Sequence, residues 1–363
     1  MKITHVTLAT TLLLLAQGTA AATIENVYAE QRPKSYIVDI YYDLVDSNGG
    51  LWDISVAVEG GGDKPTLSTL DGDVGVDLTP GRNKHIAWDA GTDWPENLQS
   101  NFVATVTATP SMGMVLVPGG SNSGRDPYTE TDYSLSVESF YMDRTEVTYV
   151  KWKCVYDWAV KHGYAFENVG GSKGERHPVQ KVNWYDCVKW CNARSEMSRR
   201  DPVYRVGGEV YRTGTATPSV DLSCDGYRLP TSEEWEYAAR GGRRSQRFPW
   251  GARINHTLAN YYNLETWYPT IEYPDKDNNY HPLYSTGGYP YTAPVSSFPP
   301  NDYGLYEMIG NVGEWVDTDS DSSKLIRGGS WGKNGKQCSI GCTQTAQPGS
   351  TNYSIGFRSV RRK

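Results

Sequence analysis

The chain has little that would hold it in a membrane, on a nucleic acid or around a histidine-bound metal. Beyond one apolar run near its start, no stretch approaches the roughly 20 apolar residues that a bilayer span needs. Its formal net charge is −7 over 363 residues. Lysine and arginine are scattered, with only short runs such as Arg243-Arg244 and Arg361-Arg362-Lys363, so there is no electrostatic footprint for nucleic acid. His85, His162, His177, His256 and His281 stand far apart, with neither H-x-x-x-H nor H-x-E spacing, which excludes the usual histidine-based zinc and iron patterns. There is no Gly-x-Ser-x-Gly elbow and no Walker loop, which removes two common enzyme classes.

Met1 to Ala22 reads as a secretory leader. Lys2 supplies the positive start, Val6 to Ala16 the apolar run, and Gly18-Thr19-Ala20 or Ala20-Ala21-Ala22 a small-residue cleavage site. That run is too short for a permanent span, so the expected product is exported, periplasmic or secreted, with no stable membrane anchor. Its six cysteines, Cys154, Cys187, Cys191, Cys224, Cys338 and Cys342, would then mature where disulfides are permitted, with the connectivity open.

The length suits two domains after the leader. From 23 to 110 short runs alternate with period two (SYIVDIYYDLVD, WDISVAVE, KHIAWDA, FVATVTAT) between Gly- and Pro-bearing turns, the pattern of a small all-β sandwich. Val38, Ile40, Ile54, Val56, Val58, Ile86, Trp88, Val103 and Val106 are its expected core. The second domain is expected over 114–362. It should carry a helix from about Thr148 to Lys161, with Val147, Val150, Cys154, Val155 and Trp158 on its apolar face. A second helix, Trp184 to about Met197, should be capped by Asn183 with Asp186, and a third by Thr231 with Glu234.

The most organised stretch runs from Phe298 to Trp331: FPPNDYGLYEMIGNVGEW, an acidic spacer, then KLIRGGSW. Gly310, Gly328 and Gly329 mark backbone bends that a Cβ would hinder. With GYRLPTSEEWEYAARGG upstream and SIGFR near the end, these motifs resemble the formylglycine-generating-enzyme (sulfatase-modifying factor) family. The resemblance implies an α+β domain with a C-type-lectin-like fold and much irregular structure, preceded here by the sandwich.

It also implies site residues. Calcium would sit on the turn Glu307 to Glu314, held by the side chains of Glu307 and Glu314 and the carbonyls of Gly310 and Val312, oxygen donors suited to a hard cation. A second ion would fall at Asn260 and Tyr261, but Gly287-Gly288-Tyr289 stands where its carboxylate belongs. Copper(I) would take two thiolates, yet the first position is Lys333 and only the second, Cys338, is a cysteine. A lysine ammonium cannot replace a thiolate there. Cys187 and Cys191 with Cys338 and Cys342 make two C-x3-C spacings at the loose end of zinc patterns.

The resulting expectation is a non-oxidising member that binds a protein, peptide or glycan, using a groove near Trp331 and Asn334. The alternative is an active oxidase that converts a peptidyl cysteine to formylglycine with copper and dioxygen. Twelve tryptophans and twenty-six tyrosines can supply a binding surface or fill the core of a loop-rich fold.

Overall fold

A computed structural model of the chain describes residues 5–10, 22–46, 52–60, 63–78, 80–95, 101–110, 113–198, 200–264, 279–318 and 322–363. Most of the expected leader lies outside the described residues, as do Asp319 and Asp321 of the acidic spacer. The chain divides into two compact units, Met1–Gly113 and Met114–Lys363. Among the described residues no helix is long and apolar enough to cross a membrane.

The first unit is made of two four-stranded sheets. One orders the strands Thr23–Gln31, Ile37–Val45, Gly81–Asp89 and Leu70–Gly72, and the other His5–Thr10, Asn101–Pro110, Trp52–Glu59 and Gly75–Leu78. Alternate residues face one shared core: Val38, Ile40, Tyr42 and Leu44 from one strand, and Phe102, Ala104 and Val106 from another. Val103 was expected inside, but it points the other way, because the strand's period-two register puts residues 102, 104 and 106 on the buried face. Val56 is only partly buried against the core. A single helical turn, α1 (Ala90–Asp93), closes the third strand, with the Asp89 carboxylate accepting from the N–H groups of Gly91 and Thr92.

In the second unit, α2 (Tyr149–Lys161), α3 (Trp184–Met197) and α4 (Ser232–Arg240) begin where the capping residues require. Thr148 caps α2, while Asn183 with Asp186 and Thr231 with Glu234 form complete capping boxes. The buried face of α2 differs from the expected one. It consists of Lys151, Trp152, Val155 and Ala159, while Cys154 and Trp158 are half-buried. Lys151 is buried because its ammonium reaches Asp143 at 2.9 Å, a pairing that hydrophobic periodicity cannot reveal.

Among the described residues this unit has four small sheets and two apolar clusters, and two of the sheets frame the site. Phe140–Asp143 lies between Met114–Val117 and Val360–Arg362, and Arg228 and Val360 exchange both backbone hydrogen bonds at 2.9 and 2.8 Å. The other sheet orders Gln344–Ala346, Lys324–Arg327, Gly313–Trp315 and Ile355–Gly356. Trp152, Trp184, Trp190, Trp235 and Trp315 are all fully buried. Indoles therefore fill much of the core between few and short regular elements.

Candidate functional site

The site is built on the turn from Glu307 to Glu314, which leads into the strand Gly313–Trp315. Glu307, Gly310 and Asn311 all take positive φ, at 45°, 81° and 54°. Glycine adopts this region freely, but other residues do so at a cost. A Cβ on Gly310 would also strike the carbonyl oxygen of Asn260. Asn311 meets the strain with a saturated side chain. Its Nδ2 donates to Glu146 Oε2 at 2.7 Å, and its Oδ1 accepts from the N–H of Ala293 at 2.8 Å. Its backbone N–H donates to Asn260 O and its carbonyl accepts from Trp331 N–H, both at 2.8 Å.

Beneath the turn three buried carboxylates, Glu146, Glu307 and Glu314, surround one buried guanidinium, Arg358. Arg358 closes on Glu314 with two hydrogen bonds, Nε to Oε2 at 2.8 Å and a terminal nitrogen to Oε1 at 2.7 Å, and Trp235 Nε1 donates to Oε2 at 2.7 Å. Glu307 accepts from the backbone N–H groups of Ser296 and Phe298 at 2.9 and 3.2 Å. Burial pushes the Glu307 carboxyl up to about 7. Burial, with the neighbouring charges of Glu307 and Glu314, raises Glu146 well above the usual carboxylate range. The structure thus brings the expected ligands Glu307, Gly310, Val312 and Glu314 into one turn, each carboxylate already engaged. Among the described residues no group of three His, Cys, Asp or Glu side chains has metal-holding geometry. The surplus of negative charge is what a divalent cation would offset, and Glu314 Oε1, which accepts one hydrogen bond, keeps a lone pair for one, whereas Oε2 already accepts two. Asn260, expected at the second ion, is buried with an Oδ1 that meets no donor.

Copper's position is different. The Cys338 thiol is buried, with Sγ 3.8 Å from Ser330 O and 3.6 Å from Lys333 O. Burial pushes its pKa up to about 12, which disfavours the thiolate that copper(I) needs. A Cβ on Gly329, whose φ is 74°, would stand 2.5 Å from that sulfur, so the glycine lets the chain pass over it. With Lys333 at the other position, the residues present do not fit copper. All six cysteines are free thiols, so the disulfides expected from the even count are not formed in this structure. Cys187 and Cys191 pack in one apolar cluster and Cys338 in the other; the two C-x3-C pairs do not form one site.

Of the two expected groove residues, Asn334 belongs to the support, since its Oδ1 accepts from Gln337 N–H at 3.0 Å and its carbonyl from Cys338 N–H at 3.0 Å. Trp331 is the centre of an aromatic strip. Its ring centroid lies 5.3 Å from Tyr289, 5.4 Å from Tyr291 and 5.7 Å from Tyr280. Tyr262 continues the strip beyond Tyr280 at 4.8 Å and ties it to Lys333 through a backbone bond, Tyr262 N–H to Lys333 O at 2.9 Å. On the other side Trp331 Nε1 donates to the carbonyl of Tyr353, whose ring lies 4.1 Å from Lys181 Nζ. Tyr289 is 61% exposed and Tyr353 47%, while Trp331 between them is buried, so these two tyrosines carry the outer face of the strip.

The reading of the sequence missed Glu146, Asn311 and Arg358 as members of the site. Arg358 lies inside the SIGFR motif and Asn311 inside GNVGEW, where an arginine or amide amid apolar neighbours signals a buried polar partner. Nothing local marks Glu146, which meets Val312 N–H at 2.9 Å from 166 positions away.

Residues 99–363 match a family model described as the sulfatase-modifying factor enzyme 1-like domain. A protein named chaperone protein LppX, from Paenibacillus barcinonensis, is 30% identical over 280 residues, which cover 70% of this chain and 91% of LppX. A formylglycine-generating enzyme from Mus musculus is 32% identical over 224 residues, 56% of this chain and 57% of the enzyme. The chain thus spans little more than half of that relative's length. The crystal structure of CarF aligns with a TM-score of 0.53 at 28% identity, covering 69% of this chain and 98% of CarF.

Proposed function

The chain belongs to the family of sulfatase-modifying factor enzyme 1-like domains, and from that membership we propose that it is an exported, non-oxidising member whose face around Trp331 binds a protein, peptide or glycan. The observation that carries this reading is the pairing of Lys333 with a deeply buried Cys338 thiol whose pKa is pushed up to about 12. A copper(I) centre needs two accessible thiolates, and here one sulfur is missing and the other is held neutral against two carbonyls. The relative named as a chaperone supports a binding role, and so does an aromatic surface where the copper positions fall.

Calcium belongs to the same proposal, held by the side chains of Glu307 and Glu314 and the carbonyls of Gly310 and Val312. Its part is structural: it would balance the buried carboxylates and fix the strained turn, sharing Glu314 with Arg358.

The deciding experiment incubates the protein, copper-loaded and in air, with a cysteine-bearing sulfatase-type peptide, and reads the peptide mass. Unchanged peptide is expected, whereas conversion to the aldehyde would establish the oxidase alternative. N-terminal sequencing of protein recovered outside the cytoplasm tests the export, with a start just after Ala20 or Ala22 expected; that cleavage would remove the edge strand His5–Thr10 and leave Asn101–Pro110 at the edge of its sheet.

A further inference from the structure

The strip around Trp331 carries a narrower reading that rests on the binding role proposed above. We propose that it is a subsite for an acidic polysaccharide. The rings of Tyr280, Tyr289, Tyr291 and Trp331 lie 4.7 to 6.3 Å apart, centroid to centroid. They pack on one another and leave no gap for an ammonium group, which excludes an aromatic cage for a cationic ligand. What the strip offers is outward: the exposed ring of Tyr289 and the hydroxyl pair of Tyr280 and Tyr289, 3.4 Å apart. A pyranose matches that offer, because its C–H face lies on a ring while its hydroxyls bond at the rim.

The charge around the strip selects the sign of the ligand. Lys181 sits over the Tyr353 ring and Lys173 lies 6.0 Å from that of Tyr291, with its ammonium bonded to the carbonyls of Tyr284 and Thr286. The loop that bears Lys173 and Lys181 has Glu175 as its one acidic residue between Gly170 and Lys181. A cationic fringe on a chain of net charge −7 is local, and it favours a polymer that carries carboxylate or sulfate groups. A polypeptide fits less well. Neither 279–312 nor 328–343 contains a strand, so these loops have no sheet edge on which a second chain could satisfy its backbone N–H and C=O groups.

Titration calorimetry of the full protein tests this with four probes: an oligogalacturonate, a heparin oligosaccharide, a neutral malto-oligosaccharide, and a random copolymer of glutamate and tyrosine. At least one acidic glycan should bind, weaken with salt, and lose about tenfold in affinity in Tyr289→Ala, where an exposed stacking contact is removed. Lys181→Glu should weaken the acidic glycan further without creating binding of the neutral one. Both side chains are exposed, and an unchanged melting temperature verifies the folding of each variant. Failure of both acidic glycans, or binding that Tyr289→Ala leaves unaltered, overturns the proposal. Binding of the copolymer in place of the glycans, lost in Tyr289→Ala, overturns it too, but it leaves the broader binding role standing; that role falls only if the cysteine peptide is oxidised.

Discussion

Arg358 grips Glu314 through two hydrogen bonds, at 2.8 and 2.7 Å, in an environment where both side chains are almost wholly buried. The same guanidinium donates to the carbonyls of Asp143, Arg144, Tyr306 and Glu307. It therefore joins the site turn to the strand that precedes α2.

Removing one partner of such a pair strands the other as a buried charge. Arg358→Leu and Glu314→Gln should each cost about 3–5 kcal/mol, read as a fall in the urea midpoint. The double variant should lose less than the sum of the two, because the second substitution removes a charge that the first left unpaired.

Stability should fall as pH rises through neutrality. Glu307 holds its proton up to about 7 in the folded state, against an ordinary value of 4.5, and Glu146 is shifted in the same direction. A raised folded-state pKa contributes stability that is complete below the unfolded value and lost as pH climbs through the folded one, at most about 1.4 kcal/mol per pH unit and group. Asp143 works the other way: burial acts to raise it, but Arg194 and Lys151 outweigh burial and hold it well below the usual range, so its contribution is lost in acid. Melting temperatures from pH 5 to 8 should decline, with a shallower slope in Glu307→Gln.

Added calcium should reverse that decline. An ion on Glu307 and Glu314 favours their charged forms, so its stabilising effect should be small at pH 5 and larger at pH 8. A calcium shift that is absent at pH 8, or that persists unchanged in Glu307→Gln, would remove the ion from this turn.

The buried thiols should be inert. Brief alkylation of the native protein followed by peptide mapping should find label on the half-buried Cys154 and Cys224 and none on Cys187, Cys191 or Cys338. Rapid labelling of Cys338 would contradict the burial on which the non-oxidising reading depends.

Helix starts were legible in the sequence because a cap is local: Thr148, Asn183 with Asp186, and Thr231 with Glu234 each satisfy N–H groups within three positions. The strained glycines were legible for the same reason. The buried face of α2 was not, because Lys151 is drawn inward by Asp143 and periodicity ranks a lysine as exposed. Val103 was misplaced by a one-residue slip, to which a run such as FVATVTAT is open, with apolar residues at both parities. The site was half legible. Its turn lies in one contiguous motif, but its charge balance depends on Glu146 and Arg358, which only the folded chain brings together.

The strand Val360–Arg362 and Arg358 have a consequence for the order of synthesis. The strand Phe140–Asp143 is translated well before its neighbour Val360–Arg362, and Arg358, whose guanidinium neutralises Glu314 and donates to the Asp143 carbonyl, lies 215 positions after that aspartate. Until they emerge, the second unit has an open sheet edge and an uncompensated buried carboxylate, and it cannot close. A nascent chain stopped anywhere before residue 358 should therefore remain open to proteases, and the unit should become resistant only once the strand Val360–Arg362 is in place.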